Sequence, residues 1–185
     1  MKIVGGSARG RIIEAPPGRN TRPTSAVLRE ALFGILSGTV PQARVLDLFS
    51  GSGGIGIEAL SRGAKQAVLV EFGKEALECI RKNLEKTKLK DRAVVLPVEV
   101  TYGVSKLEKM GQVFDLVYAD PPYKMGFEPK ILSILAASSI VKKGTKVILE
   151  TSLDTEPDYI DESRYELLKV KKYKTNQHVF LQVKE

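Results

Sequence analysis

Two short stretches carry the residue types that could do chemistry. The first is DLFSGSGGIG at residues 47–56, in which Gly51, Gly53 and Gly56 satisfy the spacing G-x-G-x-x-G. Glycines there let the backbone turn sharply after a strand and approach a nucleotide cofactor closely, because no Cβ intervenes. Phe49 and Ser50 complete the turn. Glu71 ends the next apolar run, where a carboxylate can accept hydrogen bonds from ribose hydroxyls. Asp47 sits inside the apolar run that precedes the loop. A buried carboxylate without partners is costly, so Asp47 is expected to bind loop amides or to reach the cofactor. An ammonium-bearing cofactor such as S-adenosylmethionine could use that charge, and NAD has no equivalent group. The glycine loop and the strand-end acid by themselves suit both.

The second stretch is DPPY at residues 120–123. Its prolines, Pro121 and Pro122, fix φ and remove two amide donors. The Asp120 carboxylate and the Pro121 carbonyl remain as acceptors, and Tyr123 supplies a rigid aromatic face. Such a set matches a planar group bearing an NH2, as in a nucleobase with an exocyclic amine. The chemistry that follows is methyl transfer to nitrogen. An aromatic amine is a poor nucleophile because its lone pair is delocalised into the ring. Hydrogen bonds from its N–H groups to Asp120 and to the Pro121 carbonyl would turn that lone pair out of the ring plane. In-line placement would supply much of the rate, and the acceptors would stabilise positive charge developing on nitrogen. No strong base is needed, since proton loss can follow transfer.

Both stretches must be positioned by regular elements, and the surrounding sequence alternates strand and helix. RVLDLF (44–49), AVLVEF (67–72), AVVLPV (93–98), FDLVYAD (114–120) and KVILET (146–151) read as strands. Pro97 puts the third at a sheet edge or a strand end. Helices are expected at GIGIEALSRG, ended by Gly63, and at 74–88, 103–110 and EPKILSILAASSI. YELLKVKKY and HVFLQVK read as an antiparallel pair turned at KTNQ. Alternation of this kind implies a doubly wound, mostly parallel α/β sheet. The glycine loop follows the first core strand and DPPY the fourth, so both are expected at the carboxyl edge, where open α/β sheets bind ligands. Residues 1–15 suggest a short hairpin around Gly5, Gly6 and Gly10. Thr24 or Ser25 can cap a helix to about Leu36, with Val27, Leu28, Ala31, Leu32, Ile35 and Leu36 at helical spacing. The chain therefore divides into a basic hairpin–helix extension (1–40) and a catalytic domain (41–185).

Charge sharpens the expectation about partners. The 185 residues hold 29 Lys and Arg against 22 Asp and Glu, for a net charge of +7. Six basic residues against a single acid, Glu14, fall within the first 29. That excess favours a polyanionic partner. Arg9, Arg11, Arg19 and Arg22 lie in a Gly- and Pro-containing segment, and arginine suits phosphate recognition through its planar fork. Arg29, on the helix, is expected to pair with an acid. No apolar run approaches the ~18 residues that span a membrane, and the N-terminus does not read as a signal peptide. One cysteine, Cys79, permits no internal disulfide, which fits a cytoplasmic location. It is expected to be structural, and it offers no nucleophile for a covalent route to methylation of cytosine carbon. No His/Cys cluster has metal-ligand spacing, so no metal is expected. His178, the sole histidine, is not expected to be catalytic.

DLFSGSGGIGIEALSRGA together with DPPY resembles the class I S-adenosylmethionine-dependent methyltransferases of the amino-methylating type. The N-terminal blocks IVGGSARGR, TRPT and LREALFGIL narrow the resemblance to the RsmD type, and it spans nearly the whole chain. It implies a Rossmann-like, seven-stranded sheet ending in an antiparallel hairpin. The implied activity is methylation of N2 of one guanine in 16S ribosomal RNA, on an assembled or nearly assembled small subunit. It implies cofactor contacts from Phe49 to Gly53 and from Glu71, and target-amine contacts from Asp120, Pro121 and Tyr123. Members usually carry Asp or Asn, then Ala, near the adenine; here Glu99-Val100 stands in that place, with Glu99 as the candidate contact. The target guanine would leave its stack to reach DPPY. A monomer is the expected state. Two other readings stand beside this one: methylation of a different amine, such as adenine N6 in DNA or RNA, and an NAD-linked oxidoreductase built on the same glycines. The second lacks an obvious hydride-transfer partner.

Overall fold

Apolar runs bounded by glycine-rich turns become five parallel strands, joined by four helices that cover one sheet face and then the other, two on each. The computed structural model describes residues 1–17, 25–123 and 125–185. After α1 (Ala26–Ile35) come β1 (Arg44–Leu48), α2 (Gly54–Ser61), β2 (Gln66–Glu71), α3 (Lys74–Thr87), β3 (Ala93–Pro97) and α4 (Val100–Lys109). They are followed by β4 (Leu116–Ala119), α5 (Phe127–Ala136), β5 (Lys146–Ser152), β6 (Tyr165–Lys172) and β7 (Asn176–Val183). The sheet order is β3-β2-β1-β4-β5-β7-β6. Strands β1 to β5 are parallel, and β7 runs antiparallel to both β5 and β6. The expected seven-stranded α/β sheet with an antiparallel closing hairpin is therefore present. Pro97 is the last residue of edge strand β3, where a missing N–H costs nothing.

Each face of the sheet is covered. Val45, Ala67, Leu69 and Ile148 pack with α2 and α3 on one side, and Leu46, Leu48, Val68, Val117 and Leu149 pack with α4 and α5 on the other. Burial on both faces is why these strands read as continuous apolar runs rather than as alternating ones. The order of strands across the sheet reverses between β1 and β4, which are hydrogen-bonded neighbours with Asp47 opposite Tyr118 and Leu48 opposite Ala119. That junction is the topological switch point, where open α/β sheets form their ligand crevice.

The N-terminal unit is docked rather than free. Ile3, Ala8, Ile13, Leu32, Phe33 and Leu36 belong to the same apolar cluster as Ile57, Leu60 and Ile80. The expected short hairpin is present: Lys2 bridges Ile12, and its arms are joined by Ile3 N–H to the Arg11 carbonyl (2.9 Å), Gly10 N–H to the Ile3 carbonyl (2.9 Å) and Ile13 N–H to the Met1 carbonyl (2.7 Å). The rest of the segment pairs with α2. The fully buried Glu58 accepts from the N–H groups of Val4 (2.9 Å) and Gly5 (2.7 Å), and Ser7 N–H reaches the Ser61 carbonyl at 2.8 Å. Gly6 is required there: its φ is +75°, and a Cβ would stand 1.7 Å from the Ser61 oxygen.

Three local expectations are corrected. Val27, placed on the buried face of α1 by its spacing, is 74% exposed, while Arg29 is fully buried. The guanidinium reverses the pattern because Glu58 lies 3.7 Å from its Nε, in keeping with the pairing expected for Arg29. Helix α4 starts at Val100 rather than 103: the unfavourable run Val-Thr-Tyr is overridden by packing of Val104 and Leu107 against the sheet. Asn176 and Gln177 belong to β7 and not to the turn, which is closed by Tyr173 N–H on the Asn176 carbonyl at 2.8 Å. Ser25 caps α1, accepting from Leu28 N–H at 3.2 Å. Thr24, Arg19 and Arg22 lie outside the described residues.

Candidate active site

A cleft of about 1380 Å³ opens along the carboxyl ends of β1, β2 and β4. It is lined by Asp47, Phe49, Ser50, Gly51, Glu71 and Glu99 on one side and by Asp120, Pro121, Pro122 and Tyr123 on the other. The glycine loop and DPPY, far apart in the chain, thus face one space. Gly53 does not line it. Its role is the turn itself: its φ is +77°, and a Cβ would stand 3.0 Å from Leu69 Cδ2.

The glycine-loop side is held by backbone amides. Phe49 and Gly51 adopt φ of 61° and 57°, a left-handed turn that Phe49 tolerates with its ring edge-on to Phe127 at 6.1 Å. Glu71 braces the loop. One oxygen accepts from Gly51 N–H at 2.9 Å, and the other accepts from Phe72 (2.9 Å) and Gly73 (2.8 Å). Asp47 accepts from Gly56 N–H at 3.0 Å, as a buried acid must find some donor. Burial pushes its pKa up to about 7, against the lowering effect of the Gly56 N–H and with Glu71 adding to the rise. Behind the loop, the Asn83 amide donates at 2.9 Å to both the Ser52 and Glu14 carbonyls and ties the N-terminal segment to the turn. Cys79 is buried beside it, with its thiol 3.1 Å from the Glu14 carbonyl, a structural position as expected. Glu99 caps α4 without a side-chain bond to its amides, so its carboxylate is available at the cleft.

The DPPY side is held by side chains. Pro121 is buried, and Tyr123 keeps 40% of its surface exposed at the cleft. Among the described residues no group hydrogen-bonds the Asp120 carboxylate. Burial pushes its pKa well up, and the charges of Glu150 and Asp47 push it further. The Tyr123 hydroxyl donates to Glu150 at 2.9 Å. Glu150 also accepts from Tyr118 OH (2.5 Å) and from the Asn176 amide, and it lies 3.2 Å from His178 Nε2.

Sequence reasoning missed Glu150, Tyr118, Tyr173, Asn176 and His178 as a group. One signal was available: Glu150 is an acid in an otherwise apolar strand, the same anomaly that singled out Asp47. The convergence of the others depends on β7 inserting beside β5, which spacing does not reveal. His178 touches Glu150 and Tyr173 and does not line the cleft. Arg9 and Arg11 are exposed, away from the cleft lining, and Arg11 donates to the Lys86 carbonyl at 2.9 Å. The N-terminal unit does reach the cleft, through Ala15, Pro16, Ser25, Val27 and Leu28.

This sheet order, with a cleft at the switch point, is the class I methyltransferase fold. A precorrin-6Y C5,15-methyltransferase of Geobacter metallireducens shares it with a TM-score of 0.68 at 16% identity, over 90% of this chain and 92% of its own. The family can be stated more narrowly. Residues 1–182 match the family described as conserved hypothetical protein 95, and the chain belongs to it, the RsmD family. The ribosomal RNA small subunit methyltransferase D of Escherichia coli is 31% identical over 83% of this chain and 76% of its own length. A solved hypothetical protein of Thermus thermophilus superposes with a TM-score of 0.85 at 32% identity, covering 99% of each chain. Membership of this family sets aside the oxidoreductase reading of the glycine loop.

Proposed function

We propose that the protein transfers a methyl group from S-adenosylmethionine to the exocyclic N2 of a guanine in 16S ribosomal RNA, acting as a monomer on an assembled or nearly assembled small subunit. The observation that carries this reading is Asp120. Its carboxylate has no hydrogen-bond partner among the described residues, and it faces the same cleft as the glycine loop. A half-buried acceptor in that state is open to a donor from a ligand.

The chain's own residues fit the cofactor. The positive-φ turn at Gly51 brings backbone to the cleft, and Asp47, Glu71 and Glu99 give that wall an acidic character suited to a cationic ligand. Phe49, Ser50 and Gly51 would hold it, with Glu71 at the ribose and Glu99 at the adenine. When bound, S-adenosylmethionine supplies an electrophilic methyl group on a sulfonium. Asp120 and the Pro121 carbonyl accept the N–H groups of the target amine and orient its lone pair. Tyr123 stacks on the extruded base and replaces part of the stacking lost on flipping. Pro122 stiffens the turn so that both acceptors keep their places. The N-terminal segment up to Val40 serves as the RNA-binding extension, with Arg9, Arg11, Arg19 and Arg22 on phosphates.

The reading is tested by labelled methyl transfer from S-adenosylmethionine to undermethylated small subunits, followed by nucleoside analysis. 2-Methylguanosine is the expected product. N6-methyladenosine, or no transfer, would overturn the assignment.

A further inference from the structure

We propose that Glu150 is a positioning residue of the target half of the cleft: it anchors the Tyr123 ring by its hydroxyl, so that the ring presents its face, and not its OH, to the incoming base. The inference rests on the function proposed above for DPPY and adds a residue that neither the motif nor the family resemblance assigns.

The geometry is convergent. Glu150 lies on β5 and is 4% exposed. Its Oε1 takes the Tyr123 hydroxyl at 2.9 Å and the Asn176 amide, and its Oε2 takes the Tyr118 hydroxyl at 2.5 Å with His178 Nε2 at 3.2 Å. These donors come from the DPPY turn, β7 and β4, so a single carboxylate ties three separate elements together. His178 stands opposite Glu150 across the β5–β7 pair and continues the chain of contacts through Nδ1 to the Tyr173 hydroxyl at 3.2 Å. Tyr173, Lys174 and Thr175, the turn between β6 and β7, line the cleft beside Tyr123.

The arrangement gives the Tyr123 hydroxyl a use. Phenylalanine has the same stacking face, but a ring 40% exposed on a turn would be free to rotate about its side-chain torsions. Hydrogen bonds to a buried anion are stronger than neutral ones and directional, so the anchored phenol holds the ring plane before the base arrives. Holding the platform in advance lowers the ordering cost of binding. Burial pushes the Glu150 pKa up, but the donors around it, His178 first and Tyr118 next, outweigh that effect and hold the carboxyl below its usual range.

Two measurements test the anchor. In protein labelled with 13Cζ-tyrosine, the six tyrosine signals are assigned by single Phe substitutions. Glu150→Gln should move the signals of both Tyr118 and Tyr123. A Tyr123 signal that stays in place while that of Tyr118 moves would overturn the proposal, whatever the enzyme's substrate. The second measurement is a cycle of Tyr123→Phe, Glu150→Gln and the double variant, assayed for methyl transfer to undermethylated small subunits with S-adenosylhomocysteine affinity measured alongside. Each single change should lower kcat/KM by about tenfold to a hundredfold, the range for a hydrogen bond to a charged group, with cofactor affinity unchanged. The double variant should be no worse than the weaker single one. Full multiplication of the two losses, or wild-type turnover in Tyr123→Phe, would overturn the anchor. Tyr123→Phe removes only a hydroxyl, so it keeps the test decisive if Glu150→Gln fails to fold. Absence of transfer by the unmodified protein would instead overturn the function proposed for DPPY, and the tyrosine signals would still decide the role of Glu150.

Discussion

Glu71 and Glu150 are both acids at the carboxyl ends of strands, each 4% exposed, yet they are held by different kinds of donor. Glu71 takes backbone N–H groups from Gly51, Phe72 and Gly73, and Asp47 beside it takes that of Gly56. Glu150 takes side chains: two phenols, an amide and an imidazole. Backbone donors persist under any substitution that preserves the turn. Side-chain donors vanish with a single substitution. On the proposed function, the half of the cleft assigned to the cofactor is therefore set by loop geometry and the half assigned to the target by residue identity.

The comparison is broken or sharpened by substitutions on each side. The largest effect is expected from Asp120→Ala, which should lower turnover by about a hundredfold to a thousandfold, as for loss of a transition-state hydrogen-bonding group. S-adenosylhomocysteine affinity, read by calorimetry, should stay within about twofold. Glu71→Ala should do the reverse on binding. Three N–H groups lose their acceptor, and affinity should fall about tenfold to a hundredfold, while the Tyr123 13Cζ signal stays where it is.

A different kind of effect is expected from Asp47→Asn, one on stability rather than on binding or turnover, and it concerns pH. Asp47 ionises at the ordinary 3.8 when unfolded and at about 7 when folded. Between those values the folded protein holds a proton that the unfolded chain has released, so stability falls as pH rises from about 4 to about 7 and then levels off. The loss attributable to Asp47 is on the order of a few kcal/mol. Asp47→Asn should flatten that part of the curve of melting temperature against pH and leave the share of Asp120, whose pKa is also raised. A curve as steep as that of the unmodified protein would contradict the burial argument. The smallest effect is expected from Arg9→Ala. Subunit affinity should weaken only slightly, with the salt slope reduced by about 1, and both halves of the cleft should be untouched.

How far these features could be read in advance follows the same division. Asp47, the glycine loop and Glu71 fall within two successive strands and the helix between them, and they obey local rules for strand, turn and helix. The bond of Asp47 to a loop amide follows from sequence order, whereas the bracing of the turn by Glu71 does not, since an acid at that strand end points to a ribose. The position of DPPY beside them also followed, because alternating strands and helices leave few topologies. Tyr118, Glu150, Asn176 and His178 come from three strands, β4, β5 and β7, and meet only because β7 inserts next to β5. No periodicity reports that insertion. Arg29 was hidden for another reason: a charged residue on the buried face of α1 is legible only once Glu58 is known to face it. The exposure of Val27 follows from the same ion pair.

The most direct test of the shared cleft is a crystal structure with S-adenosylhomocysteine bound. The ribose is expected at Glu71 and the sulfur end toward Asp120 and Tyr123, with the Gly51 turn and the Glu150 contacts unchanged from those described above. Cofactor bound away from the β1–β4 junction, or with its sulfur turned from Asp120, would contradict the proposal that donor and target amine meet there.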